Sequence, residues 1–212
     1  MENKENIQVI RPFGPSIAKI KIPNKIIEHL NNYVDKIIQD EKKSEILDHG
    51  KKLAGNVSQE IKLEADCIEK SGYLNFLYSS VNDWLYLSDK KKIKKFTLIS
   101  SWVVRQFQNE YNPVHWHGGH ISGVGYLKTP STFGEHSQNK KNNSNGKLEF
   151  IHGTKQFSSP SSMIIKPEVG YHYFFPHYLM HLVYPFNGSN EERRSISFNA
   201  FIDHETFNVY GN

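Results

Sequence analysis

The stretch Arg193-Arg194-Ser195-Ile196-Ser197-Phe198-Asn199-Ala200-Phe201 decides how the chain is read. In a strand, successive side chains point to opposite faces. Arg193, Ser195, Ser197 and Asn199 therefore share one face, and Arg194, Ile196, Phe198 and Ala200 share the other. The second face has the composition of a core. The first is polar along its length, which suits the inside of a ligand-holding barrel or, taken alone, a stripe turned to solvent. An arginine beside a serine inside a barrel can clamp a carboxylate through a two-pronged, charge-assisted hydrogen bond.

Upstream, the texture from Ile93 onward is the same. Short β-rich runs cover Phe96–Asn109, His120–Lys128, Lys147–Ile151, Ser162–Ile165, Tyr171–Phe175 and Leu182–Tyr184, separated by turn residues. Such spacing predicts a sandwich or barrel. The N-terminal part reads differently. Ile7 to Ile22 is one strand or two around Pro12-Phe13-Gly14-Pro15. Ile26, Ile27, Leu30, Val34, Ile37 and Ile38 then fall on one helical face. A second helix carries Leu74, Leu77, Tyr78, Val81 and Leu85 and ends near Ser88-Asp89-Lys90. From about Ser44 to Glu64 no period is visible. Helices gathered before strands give an α+β, mainly β, class with the helices packed outside a sheet. We expect a single domain over 1–212, with a helical elaboration at 1–92 and a β core at 93–203. Ser131 to Gly146, rich in Asn, Lys, Ser and Gly, is too polar to pack and is expected to be a loop, either a surface insertion or a lid.

Composition narrows the function classes. With 212 residues, 37% hydrophobic and 23% charged, the chain is long enough and apolar enough for a buried core. The formal charge of +4 comes largely from short lysine runs such as Lys90-Lys91-Lys92. No basic, aromatic-interleaved module accompanies them, so direct nucleic-acid binding is not expected. Cys67 is the only cysteine, which excludes an intrachain disulfide and a multi-thiolate zinc site. No signal peptide or spanning segment is visible, and a cytoplasmic protein is expected.

Two segments hold the remaining chemistry. In Asn112-Pro113-Val114-His115-Trp116-His117-Gly118-Gly119-His120, His115 and His117 stand at i and i+2. On a strand they point to one face, close enough to share a metal; the two glycines after them remove side-chain bulk. In Gly170-Tyr171-His172-Tyr173-Phe174-Phe175-Pro176-His177-Tyr178-Leu179-Met180-His181-Leu182-Val183-Tyr184-Pro185, three histidines are candidates for a further ligand: His172, His177 and His181. Histidines among aromatics are also commonly satisfied by a backbone carbonyl.

Together the three segments resemble the Fe(II)/2-oxoglutarate-dependent oxygenase superfamily, and more closely a group of oxygenases from bacteria and tailed phages distantly similar to prolyl 4-hydroxylases. The resemblance covers roughly Thr97 to Phe201. It is carried by His115-Trp116-His117 with Ser122-Gly123-Val124-Gly125-Tyr126-Leu127, by Gly146-Lys147-Leu148-Glu149-Phe150, by Pro167-Glu168-Val169-Gly170, by Phe175-Pro176-His177-Tyr178-Leu179-Met180-His181, and by Arg193-Arg194-Ser195-Ile196-Ser197-Phe198-Asn199. Leu53-Ala54-Gly55-Asn56-Val57 is similar to phage-encoded members. The resemblance implies a double-stranded β-helix, a squashed jelly roll like that of cupins. It implies His181 as the distal metal ligand and Arg193, not Arg194, as the partner of the far carboxylate of 2-oxoglutarate. Ser195 beside it and Tyr126 are expected to help hold that cosubstrate.

One departure matters. The usual site has two histidines and one carboxylate, in the order H-x-D or H-x-E, and here position 117 is His. The metal site is therefore expected to be His115, His117 and His181, or two of these with a carboxylate such as Glu149. The implied activity is a dioxygenase using Fe(II), 2-oxoglutarate and O₂, with no catalytic residue beyond the metal centre. Its substrate would be a small molecule or a protein side chain such as proline. Two rival readings are a zinc-dependent hydrolase or lyase on the same histidines and a non-catalytic β-barrel binding module. No membrane partner is expected; a homodimer is compatible, as is a host-cytoplasmic location for a phage-encoded chain.

Overall fold

The alternation read from the last strand organises the molecule. A computed structural model describes residues 7–10, 14–135 and 142–208. The chain opens with β1 (Ile7–Ile10) and β2 (Ile17–Lys21), then α1 (Asn24–Gln39), α2 (Glu41–Leu47), β3 (Gln59–Lys62), α3 (Ala65–Lys70) and α4 (Tyr73–Asp89). Next come β4 (Phe96–Gln106), β5 (Asn112–His115), β6 (Ile121–Lys128), β7 (Leu148–Ile151) and β8 (Ser162–Ile165). The last elements are β9 (Tyr171–Pro176), β10 (Met180–Val183), β11 (Arg193–Ile202) and the short α5 (His204–Phe207). The strands form a seven-stranded sheet, β1-β2-β9-β6-β11-β4-β3, and a four-stranded sheet, β5-β10-β7-β8. Neighbours in both sheets are antiparallel. The expected mainly-β, double-sheet architecture is borne out.

The large sheet separates two cores. On its outer face Ile196, Phe198 and Ala200 of β11 pack with Leu30 and Val34 of α1 and Leu77, Val81 and Trp84 of α4. On its inner face Val124, Tyr126, Tyr173 and Phe175 meet Leu148, Phe150 and Val183 of the small sheet. The helices thus lie outside the sheet. Helix α1 has Pro23 before it and no side-chain cap at its N-terminus. Its position depends on the buried row Ile26, Ile27, Leu30, Val34 and Ile37, as its apolar spacing implies.

Three features differ from the sequence expectation. The N-terminal half contributes three strands to the large sheet: β3 falls inside the stretch without a period, because only Ile61 marks its apolar face. The buried face of α4 is built from Tyr73, Phe76, Leu77, Val81, Trp84 and Leu85, while Tyr78 is exposed. The large aromatics shift the buried stripe away from Leu74 and Tyr78. Finally, β5 ends at His115, so His117 lies just beyond the strand rather than within it. Of the expected loop, residues 136–141 lie outside the described residues. Phe133 on its described flank packs edge-on against Phe186. None of the described residues of 131–146 lines the central cavity.

The seam between sheet and helices is tight at Gly123. A Cβ there would lie 2.5 Å from Phe198 Cε1, 2.7 Å from His172 Cε1 and 2.7 Å from the Tyr173 carbonyl oxygen. One neighbour is backbone and cannot rotate away. Gly123→Ala is therefore expected to lower unfolding stability by roughly 1–3 kcal/mol through overpacking. Urea denaturation followed by circular dichroism measures this, and an unchanged midpoint would mean that the seam has slack.

Candidate metal and cosubstrate site

Pairing of β5 and β10 sets His115 directly opposite His181. The next turn of chain brings His117 alongside. One ligand-type nitrogen from each of the three lies within 4.8 Å of the others. The imidazole centroids are 4.3 Å apart for His115 and His181, 4.9 Å for His117 and His181, and 5.0 Å for His115 and His117. Each ring is held from behind or beside. His115 Nδ1 lies 2.7 Å from the Pro113 carbonyl and His181 Nδ1 lies 2.8 Å from the Leu179 carbonyl. Facing an acceptor, each Nδ1 must carry the proton, which leaves Nε2 with its lone pair free to ligate. Trp102 packs edge-on to His117, and Phe175 edge-on to His181.

Burial favours the neutral rings. It pushes His117 down to about 3, with His115 and His177 adding like-charge repulsion. His181 is lowered well below its ordinary value by burial and by the other two histidines, and His115 is lowered by burial. His117 Nε2 and His181 Nε2 are 3.2 Å apart. Two lone pairs at that distance repel unless a proton or a cation sits between them. The separation fits two nitrogens each about 2.1 Å from a single ion.

The other candidates go elsewhere. His172 is fully buried on the helix side of the large sheet, where its Nε2 lies 2.9 Å from the Tyr73 hydroxyl. His177 holds the turn after His117: its Nδ1 lies 3.0 Å from the His117 carbonyl, and the His117 amide donates to the His177 carbonyl at 3.0 Å. Glu149 neighbours Phe150 in β7 and so points to the opposite face. Phe150 and its cross-strand partner His181 are buried, whereas Glu149 accepts a hydrogen bond from the Tyr184 hydroxyl. Glu149 is not part of the histidine cluster.

Across the inner face lies Arg193, only 1% exposed. Its Nη1 donates to Ser195 Oγ at 3.4 Å, and its guanidinium carbon lies 5.1 Å from the Tyr126 ring centroid. Among the described residues, Arg193 Nε and Nη2 and the Tyr126 hydroxyl have no hydrogen-bond partner. Burial pushes the Tyr126 hydroxyl up to about 12, so it is a neutral donor at neutral pH. The adjacent Arg194 has the opposite fate: it is paired with Glu192 through two hydrogen bonds of 2.8 and 2.9 Å and with Asp35 at 2.7 Å. A cavity of about 260 Å³ joins these parts, lined by His115, His117, His181, Arg193 and Ser195. Tyr126 lies behind Arg193 and is not part of the wall. A cluster of neutral imidazoles facing a buried guanidinium with unmet donors fits a divalent cation and an anionic ligand with a carboxylate to spare.

The cavity wall also contains Glu60, Trp102 and Lys52, which the sequence reading did not single out, and Asn112, Trp116 and Leu53–Gly55, which it quoted without giving them a role at the site. Glu60 carried only a weak signal, the alternation Gln59-Glu60-Ile61-Lys62 in a polar stretch.

Site and fold together fit a metal-dependent oxygenase of the 2-oxoglutarate class. Residues 100–199 match the family model described as "Putative 2OG-Fe(II) oxygenase". That segment contains His115, His117, His181, Arg193, Ser195 and Tyr126. No curated protein sequence matches the chain. Among solved structures, a prolyl-4-hydroxylase from Pseudomonas putida is similar at 14% identity and a TM-score of 0.52, over 88% of this chain and 91% of that one. A viral collagen prolyl hydroxylase from Paramecium bursaria Chlorella virus-1, in complex with 2-oxoglutarate, is similar at 16% identity and a TM-score of 0.53, over 87% of this chain and 94% of that one. At these identities the structural likeness speaks to the fold. The superfamily resemblance read from the sequence is borne out: residues 100–199 match a family of oxidoreductases whose cofactors are Fe(II), 2-oxoglutarate and O₂, and the three-histidine cluster is consistent with them. The reading as a non-catalytic module is set aside. No helix among the described residues is long and apolar enough to cross a membrane.

Glu60 gives the site a pH signature. Burial, with Asp48 adding repulsion, pushes its carboxyl up to about 7. Between the ordinary carboxyl range and that value the folded protein keeps a proton that the unfolded chain has released. Stability from this group is therefore full at low pH and is lost as pH rises through about 7. Glu60→Gln, which cannot ionise, is expected to gain stability relative to the wild type between pH 5 and pH 8. Parallel urea titrations at the two pH values check this; a constant difference would place Glu60 in water.

Proposed function

We propose that the chain hydroxylates a substrate entering this cavity, coupled to decarboxylation of 2-oxoglutarate to succinate. The observation that carries the reading is Arg193: a buried guanidinium with two unmet donors on the inner face, across the cavity from three neutral histidines. His115, His117 and His181 would hold the iron through Nε2. Arg193, with Ser195, would receive the far carboxylate of the cosubstrate, and the Tyr126 ring would back the guanidinium from outside the cavity wall. When bound, the iron with 2-oxoglutarate and O₂ supplies the oxidising chemistry, which is the cofactors' own.

The chain's part is positioning and exclusion. The Pro113 and Leu179 carbonyls fix the His115 and His181 rings, so that metal binding needs little side-chain ordering. Trp102, Phe150 and Phe175 keep water from the ligand side of the centre. With His at position 117 the donor set is neutral, and the metal's double charge is left for the dianionic cosubstrate to balance. We propose further that residues 1–92 and 93–203 act as one unit, because Glu60 and Lys52–Gly55 line the same cavity as the histidines. The likeness to two prolyl hydroxylases brings forward a protein side chain such as proline as substrate, a reading that rests on fold alone.

Three histidines also suit zinc, so the test separates the metals. Anaerobically prepared protein is given Fe(II), Zn²⁺ or no metal, and succinate is followed after O₂ is added, beside direct titration of 2-oxoglutarate. Succinate is expected with Fe(II) only. Arg193→Ala is expected to weaken 2-oxoglutarate binding by roughly 30-fold or more, the cost of leaving a charged group without its partner. Tight zinc with no 2-oxoglutarate binding would replace this reading with a hydrolytic one.

A further inference from the structure

The cavity has a second polar end that the reading above leaves unused. Along one cross-strand row, Glu60 of β3 lies opposite Val104 of β4, Val104 opposite Ser195 of β11, and Ser195 opposite Tyr126 of β6. Adjacent strands are about 4.8 Å apart, which puts the Glu60 backbone roughly 10 Å from that of Ser195. Ile61 faces the helix-side core, so alternation turns Glu60 into the cavity it lines. The residue is 2% exposed, and its Oε2 has no hydrogen-bond partner among the described residues. A Cβ on Gly55 would lie 3.1 Å from Glu60 Oε1 and 3.1 Å from Asn112 Oδ1. The bare Gly55 backbone therefore packs against two acceptor oxygens, Glu60 Oε1 and Asn112 Oδ1, while Oε2 is buried toward Gly50, where a Cβ would lie 3.8 Å from it. Asp48 stands behind, adding negative charge at the same end.

A carboxyl buried in this way is costly unless a partner completes it. Among the described residues, Glu60 forms no ion pair. Lys52 at the rim is exposed and is not bonded to it. The two ends of the cavity thus have opposite unmet needs: Arg193 offers donors and a positive charge, while Glu60 offers acceptors and a negative one.

We propose that Glu60, with Asn112 Oδ1 beside it, is the substrate-recognition subsite and takes a cationic nitrogen, an ammonium or guanidinium group carried by the substrate. The inference rests on the reading of Arg193 as the cosubstrate end. Charge then sorts the two organic ligands: the dianionic cosubstrate goes to the Arg193 end, and the cationic head of the substrate goes to the Glu60 end. The carbon to be oxidised is left between them, beside the histidines. Trp116 at the mouth, 65% exposed, offers an aromatic face along which such a head would pass.

The test uses n-butylguanidinium chloride as probe and N-butylurea as its neutral isostere, titrated calorimetrically at pH 8 into anaerobic protein loaded with Fe(II) and 2-oxoglutarate. Wild type is expected to bind the guanidinium at least tenfold more tightly than the urea. Glu60→Gln is expected to lose that preference while keeping wild-type affinity for 2-oxoglutarate. Lys52→Gln is expected to bind the guanidinium as well as wild type or better. No preference in wild type, an unchanged preference in Glu60→Gln, or loss of binding in Lys52→Gln would each overturn the subsite. Failure of wild type to bind 2-oxoglutarate would instead sink the cosubstrate reading. The same probe titration on metal-free protein would then still decide the subsite.

Discussion

The inner face of the large sheet is organised by one buried charge. Arg193 is only 1% exposed, and Ser195 satisfies only one of its donor directions. Burying a guanidinium costs several kcal/mol unless its hydrogen bonds are completed. The described residues do not complete them, whereas Glu192, Asp35 and Asn31 together engage every nitrogen of the neighbouring Arg194. The difference between the two arginines is their parity along β11. The register that turns Ile196 and Phe198 into the helix-side core necessarily turns Arg193 and Ser195 into the cavity. A one-residue slip would exchange the two sets and lose both the core and the site.

The Arg194 network guards against that slip. Arg194 joins β11 to Asn31 and Asp35 of α1, while Glu192 also accepts from Arg105 of β4. These contacts tie the helix, the central strand and its neighbour at the row adjoining Arg193. A partly buried ion network of this kind is weak evidence for net stability, but it specifies one pairing over its alternatives. The helices outside the sheet therefore bear on the site indirectly, by fixing which side chains of β11 face inward.

Much of this was legible in the sequence because period two is a strong code. Arg193, Ser195 and Ser197 sort cleanly from Ile196, Phe198 and Ala200, and β8 and the start of β11 fall where the apolar pattern places them. The histidine pair was read correctly as close, though the strand stops at His115 and a turn held by His177 brings in His117. Turn geometry set by a distant residue leaves no local pattern. Choosing His181 over His172 and His177 needed the family resemblance, since all three stand among aromatics and only tertiary structure shows that Tyr73 claims His172. Glu60 was missed for a different reason. Its strand is four residues long at a sheet edge, with a single apolar residue to mark the inward and outward faces. A buried acid in a polar stretch resembles a surface acid until the elements around it are assembled.

His117 and Glu60 belong to one electrostatic problem. In the usual site of this superfamily, one metal ligand is a carboxylate. Here that position is His, and the ligand set is neutral. Glu60 is then the one acidic side chain lining the cavity among the described residues. A divalent metal with a dianionic cosubstrate is neutral overall, and Arg193 and Glu60 would cancel if they met. They stand apart instead, on β11 and β3 with β4 between them, so each is left to find its counter-charge in a ligand. Arg193 finds it in the cosubstrate carboxylate. With a neutral substrate the Glu60 carboxyl would ionise only against a cost, because the cosubstrate displaces water from the cavity and low local polarity disfavours an isolated charge. A cationic substrate removes that cost as it binds, and only after the cosubstrate has taken the other end does the cavity present an acidic face alone.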